Sequence, residues 1–115
     1  MSRNVALYVQ DIVEALRNVV EFTTGMTRSE FFDDKKTRDA TIRNLEIMGE
    51  AAKKVPDGIR SLAPDIPWRR VAGLRDVLAH DYFGIDSAIL WDIIVNEVPA
   101  LVWKFEQLRE RLPKD

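Results

Sequence analysis

Residues 87–112, SAILWDIIVNEVPALVWKFEQLRERL, decide the fold class. Trp91, Ile94, Val98, Leu101, Phe105, Leu108 and Leu112 alternate steps of three and four, the spacing that gathers side chains on one face of an α-helix. The stripe crosses Pro99, which lacks the N–H of a regular helical bond, so the pattern predicts a helix that continues through the proline with a bend. All seven stripe residues are expected in the core, and so are the three tryptophans, Trp68, Trp91 and Trp103. Just upstream, Asp86 suits an N-cap, because its carboxylate can accept from first-turn amides.

The same periodicity covers the N-terminal half. Val5, Tyr8, Ile12, Leu16, Val19 and Phe22 predict a helix over 4–24, ended by Gly25. Thr27 and Glu30 have capping-box spacing and predict a short helix after it. From Lys36 to Val55 the chain lacks proline, and Leu45, Met48, Ala52 and Val55 form a second long stripe, stopped by Pro56-Asp57-Gly58. Residues 56–67, with Pro56, Gly58, Pro64 and Pro67, read as a loop. Pro67 is suited to open a third helix over Trp68–His80, which Gly84 breaks. No strand alternation, repeat or low-complexity segment competes. The expectation is an all-α protein: one domain over 1–115, folded as an up-and-down bundle of four main helices with an additional short helix.

Composition sets further bounds. The chain has 115 residues, 46% apolar and 31% charged, enough for one apolar core. It contains no cysteine and one histidine, which excludes disulfide scaffolds, thiol nucleophiles and a His-rich metal site. No charge-free run approaches the ~20 residues that span a bilayer, so no membrane segment or signal peptide is expected, and a reducing, cytoplasmic setting is the default. Net charge is −2, which argues against a broad electrostatic grip on long nucleic acid. Charge is nonetheless uneven: residues 53–75 hold six basic and two acidic side chains. Lys53, Lys54, Arg60, Arg69, Arg70 and Arg75 either face phosphate or are merely solvated.

Chemically useful residues converge on Arg75, Asp76, His80 and Tyr82. In a helix Asp76 and His80 are neighbours at i and i+4, so the carboxylate can orient the imidazole and favour its protonated form. Arg75 and His80 fall ~140° apart around the axis and do not share a face. A second copy of the helix across a two-fold axis would bring two arginines and two histidines into one cleft. A purely structural use also fits, with His80 capping a helix C-terminus and Arg75 paired to Glu46 or Glu50.

The segment Pro67-Trp68-(x4)-Gly73-Leu74-Arg75-(x4)-His80-Asp81-Tyr82-Phe83-x-Ile85-Asp86 resembles the signature of the HEPN superfamily, in particular its HepT-like branch, whose hallmark is Arg-x4-His-x-Tyr. Arg43-Asn44-Leu45-Glu46-Ile47-Met48-Gly49-Glu50-Ala51-Ala52-Lys53 is similar to the second long helix of that family. The resemblance spans essentially the whole chain. It implies a homodimeric helical bundle acting as a metal-independent endoribonuclease toxin of a type VII-like toxin–antitoxin system, with no cofactor. Arg75 and His80 would be the catalytic pair on RNA. Asp76 would be a supporting residue at a position where the family frequently has asparagine. Tyr82 would be the acceptor of AMP transferred by a cognate minimal nucleotidyltransferase (MNT-type) antitoxin. The alternative is a non-catalytic nucleotide-binding or substrate-binding subunit of a two-component nucleotidyltransferase. A plain helical interaction protein is a third class, in which neither Arg75 nor His80 matters beyond stability.

Overall fold

The computed structural model describes residues 4–80 and 87–113. Helix α1 spans Val5–Thr23, α2 Arg28–Asp33, α3 Lys35–Lys53, α4 Asp57–Arg60 and α5 Trp68–His80. The final helix is composite: α6 over Ser87–Asp92, a π-helical turn over Ile93–Glu97 and α7 over Val98–Arg111. Among the described residues there is no strand, so the all-α expectation holds.

Local signals start and stop these helices where the side chains predict. Asn4 Oδ1 accepts from the Ala6 N–H at 2.8 Å and opens α1, and Gly25 follows its end at φ +80°, a conformation open to glycine. The Thr27–Glu30 capping box is complete: the Glu30 N–H donates to the Thr27 hydroxyl at 3.1 Å and the Thr27 N–H to Glu30 at 2.9 Å. Asp34 then caps α3, accepting from the Thr37 N–H at 3.1 Å and the Thr37 hydroxyl at 2.9 Å.

Packing follows the apolar stripes. Helix α3 lies against both α1 and α5, and α1 also packs on α7. Ile12, Leu16 and Val19 of α1 meet Leu45 and Met48 of α3, Leu78 of α5 and Phe105 and Leu108 of α7 in one buried cluster. Lateral polar ties brace the helices: Asn18 donates to Asn44 at 3.1 Å between α1 and α3, and Arg17 pairs with Glu106 between α1 and α7. The hydroxyl of Thr41 is buried on α3 with no hydrogen-bond partner among the described residues.

Three expectations need correction. The loop 56–67 contains the single-turn helix α4, which starts behind Pro56 and is held by the Ser61 hydroxyl on the Asp57 carbonyl at 2.8 Å. Trp103 is not a core residue but 62% exposed. It lies two positions from buried Leu101, hence ~200° around the axis, and faces away from the stripe. The passage through Pro99 is not a simple bend. The Val98 N–H bonds back five residues to the Ile93 carbonyl, and this wider turn relieves the crowding that the proline ring imposes on the residue four before it. With that change, Ile94, Val98, Leu101, Phe105, Leu108 and Leu112 are buried as expected, while Trp91 is half-buried against Phe31. Asp86 as an N-cap and Gly84 as a helix breaker lie outside the described residues.

Candidate active site

Helix α5 carries the candidate site, and its N-terminal end is firmly anchored. Pro67 stands just before the helix rather than in its first turn, its carbonyl accepting the Val71 N–H at 2.9 Å. Trp68 is buried, its indole N–H donates to the Ala63 carbonyl at 3.0 Å, and its ring meets Phe105 edge-on at 5.2 Å. Val71 and Leu78 then seal α5 onto the core. From this anchor the helix runs to His80, its last residue, with Arg75 in its C-terminal half. One helix therefore carries both candidate catalytic positions, in the Arg-x4-His register read from the sequence.

Asp76 is engaged from a neighbouring helix. Lys53, the last residue of α3, places its Nζ 2.9 Å from each carboxylate oxygen of Asp76. Sequence reasoning did not foresee this pair, because its members stand 23 positions apart and nothing local links them. Arg28 of α2 donates to the Ser87 hydroxyl at 3.1 Å and tethers the start of α6. Tyr82 lies outside the described residues.

The basic stretch 53–75 is not one phosphate-facing surface. Besides Lys53, Arg70 pairs with Glu97 at 2.6 Å, tying α5 to the π turn. Arg60 turns inward: its Nε donates to the Val55 carbonyl at 2.9 Å, one terminal nitrogen donates to the Ala52 carbonyl at 3.0 Å, and the guanidinium lies 5.4 Å from the centre of the Trp68 ring. It thus adds a donor to the Val55 carbonyl and a second one to the Ala52 carbonyl, which also accepts the Val55 N–H at 3.2 Å, and it packs on the anchor of α5. Lys54 and Arg69 are exposed.

Elsewhere, a cleft of about 220 Å3 between α1 and α3 is lined by Tyr8, Asp11, Ile47, Glu50, Ala51 and Lys54. Among the described residues, no three acidic or histidine side chains gather in a way that could hold a metal ion. No helix among them is long and apolar enough to cross a membrane.

Comparison with known proteins defines the class. The model of the HepT-like family, described as ribonuclease HepT-like, matches residues 12–108, and the chain belongs to that family. It is 46% identical over 110 residues to the protein named "Probable ribonuclease HepT" of Thermococcus cleftensis, covering 96% of this chain and all of that one. Two proteins of Methanocaldococcus jannaschii, each named "Putative RNase", are 42% and 41% identical over 106 and 99 residues. These alignments cover 92% and 86% of this chain and 88% and 91% of the relatives. No solved structure matches the chain.

Proposed function

We propose that this chain is a metal-independent endoribonuclease, the toxin of a type VII-like toxin–antitoxin pair, cleaving RNA at an Arg75–His80 site shared by two copies of the chain. The observation that carries this reading is the Arg75-x4-His80-x-Tyr82 spacing in a chain of the HepT-like ribonuclease family. The names of the relatives, ribonuclease HepT and RNase, point the same way. So does the placement of positions 75 and 80 on one helix.

The chemistry suits these side-chain types. RNA supplies its own nucleophile: the 2′-oxygen attacks phosphorus as its proton passes to a base, and the bond to the 5′-oxygen breaks as that oxygen gains a proton. With an unperturbed pKa of about 6.5, an imidazole serves either transfer near neutrality, and two copies supply one acid and one base. Arg75 offers a planar fork of donors to the phosphate oxygens as charge builds on them. The products are a 2′,3′-cyclic phosphate and a 5′-hydroxyl end, and DNA resists because it lacks the 2′-hydroxyl. AMP placed on Tyr82 by a nucleotidyltransferase partner would add bulk and negative charge two residues from His80, where the RNA phosphate must sit.

The test is cleavage of single-stranded RNA by the purified protein in EDTA. His80→Ala and Arg75→Ala should each abolish cutting with helicity retained; equal cutting by either variant removes that residue from the mechanism. A net charge of −2 and the internal engagement of Lys53, Arg60 and Arg70 favour one other reading, a non-catalytic nucleotide- or substrate-binding subunit of a two-component nucleotidyltransferase. Tight binding of ATP or AMP with no cleavage of any RNA would select it. For the modification, co-expression with a nucleotidyltransferase should add AMP-sized mass increments that vanish in Tyr82→Phe.

A further inference from the structure

In the basic stretch 53–75, Lys53, Arg60 and Arg70 are engaged within the molecule, on Asp76, on the Val55 and Ala52 carbonyls and on Glu97, and Lys54 lines the cleft toward α1. Arg69 differs from them. It stands in the first turn of α5, exposed, and its side chain forms no hydrogen bond or ion pair among the described residues. Its neighbour Trp68 is buried against Phe105 and donates to the Ala63 carbonyl, so the backbone from which Arg69 projects is pinned to the core. Gly73, four positions on and therefore on the same face, carries no side chain, and a Cβ built there meets nothing within 4 Å among the described residues. The surface of α5 beside Arg69 is open to a ligand.

Charge changes sign along this part of the chain. Residues 69–75 hold Arg69, Arg70 and Arg75 and no acid, whereas 76–86 hold Asp76, Asp81 and Asp86 and no lysine or arginine. The helix dipole adds its positive pole at the Trp68 end of α5. A polyanion held at positions 75 and 80 is therefore drawn toward that end and repelled from the other. Arg69 precedes residue 75 by six positions and residue 80 by eleven, ~9 and ~16 Å along the axis, and a stacked strand advances ~3.4 Å per nucleotide. We infer that RNA lies along α5 and that Arg69 binds one of its phosphates, about three to five nucleotides from the bond that is cut. This rests on the ribonuclease reading and adds a subsite to it. The guanidinium fork suits phosphate oxygens, and such a contact gives affinity and register while reading no base.

The experiment measures cleavage of an RNA dinucleotide, too short to reach Arg69, and of an RNA decanucleotide. Wild type is compared with Arg69→Gln, Arg69→Lys and Lys36→Gln, each checked for helicity; the last removes an exposed positive charge from the first turn of α3. The ratio of kcat/KM for the decanucleotide to that for the dinucleotide should fall about five-fold in Arg69→Gln and recover most of the loss in Arg69→Lys, because a phosphate also accepts a point charge. Lys36→Gln should keep the wild-type ratio. An unchanged ratio in Arg69→Gln would overturn the proposal, and so would an equal fall in Lys36→Gln, which would mean that net charge alone attracts the strand.

Binding is read apart from cutting with a fluorescein-labelled deoxydecanucleotide, which lacks the 2′-hydroxyl that cleavage needs. Arg69→Gln should weaken its affinity about five-fold and lower the slope of log affinity against log salt by about 0.7, the share of one phosphate on a single strand. That loss in a protein that cuts no RNA would uphold the phosphate contact and remove the ribonuclease reading. Unaltered affinity and salt slope alongside normal cleavage would do the reverse.

Discussion

The guanidinium of Arg60 lies 5.4 Å from the centre of the Trp68 ring while its nitrogens hold the carbonyls of Val55 and Ala52. One side chain thus closes the end of α3 and covers the anchor of α5, the two helices that the candidate site draws on. Arg60→Ala should cost about 1–2 kcal/mol, since it loses the stacking and takes one donor from each of two half-buried carbonyls, of which Ala52's keeps the Val55 N–H. Arg60→Lys should recover only part of this, because a single ammonium cannot both stack and fork. Chemical denaturation of the three proteins checks the order.

Thr41 offers the opposite case. Its hydroxyl is buried without a partner among the described residues, so the folded state carries an uncompensated polar atom there. Thr41→Val keeps the shape and removes the cost, and should raise stability by about 1 kcal/mol despite the slightly poorer fit of valine to a helix. A midpoint in urea below that of wild type would contradict it.

The caps of the two N-terminal turns predict an acid limb. Bonds from the Thr27 N–H and hydroxyl hold Glu30 below the ordinary carboxylate range, and those from the Thr37 N–H and hydroxyl do the same for Asp34. Each folded-state pKa is depressed, so each group's contribution is fully present above its ordinary pKa and is lost as pH falls through the lowered one. Stability measured downward from pH 5 should therefore fall. Asp34→Asn, which still caps but does not titrate, should flatten the slope.

Gly73 sits inside α5 with room for a methyl group and with no positive φ. Gly73→Ala should thus stabilise the chain by up to about 1 kcal/mol through helix propensity. If RNA cleavage falls while the melting temperature rises, the bare backbone is used for close approach by substrate or a second copy. Unchanged cleavage would make the glycine merely tolerated.

Trp103 should behave as a surface residue. Its replacement by serine should change stability by less than about 0.5 kcal/mol and remove the fluorescence component most open to acrylamide quenching, whereas Trp68→Ala should cost about 3 kcal/mol or more.

What the sequence makes legible here is what neighbours in the chain decide. The Thr27–Glu30 box, the stop near Gly25 and the stripe from Ile94 to Leu112 depend on residues within a few turns, and each stands where periodicity and capping put it. Trp103 departs from the expectation because hydrophobicity alone does not report its angle to Leu101. Helix α4 leaves no periodic trace in the sequence, because a single turn behind Pro56 has too few residues to show a period. The Arg75, His80 and Tyr82 spacing is legible in the sequence, but the Lys53–Asp76 and Arg60–Trp68 partnerships are not, since only the folding of α3 against α5 and the intervening loop creates them.

The π turn at Ile93–Glu97 winds one surplus residue into the last helix. Deleting a residue from a helix ordinarily rotates everything on one side of the cut by ~100° and tears the apolar seam. Here excision of Asn96 combined with Pro99→Ala would simply rewind the segment to ordinary pitch, with Leu90 and Leu101 still seated on the same core. The final helix therefore contains a splice point, a place where chain length can change by one without the two halves losing their common alignment.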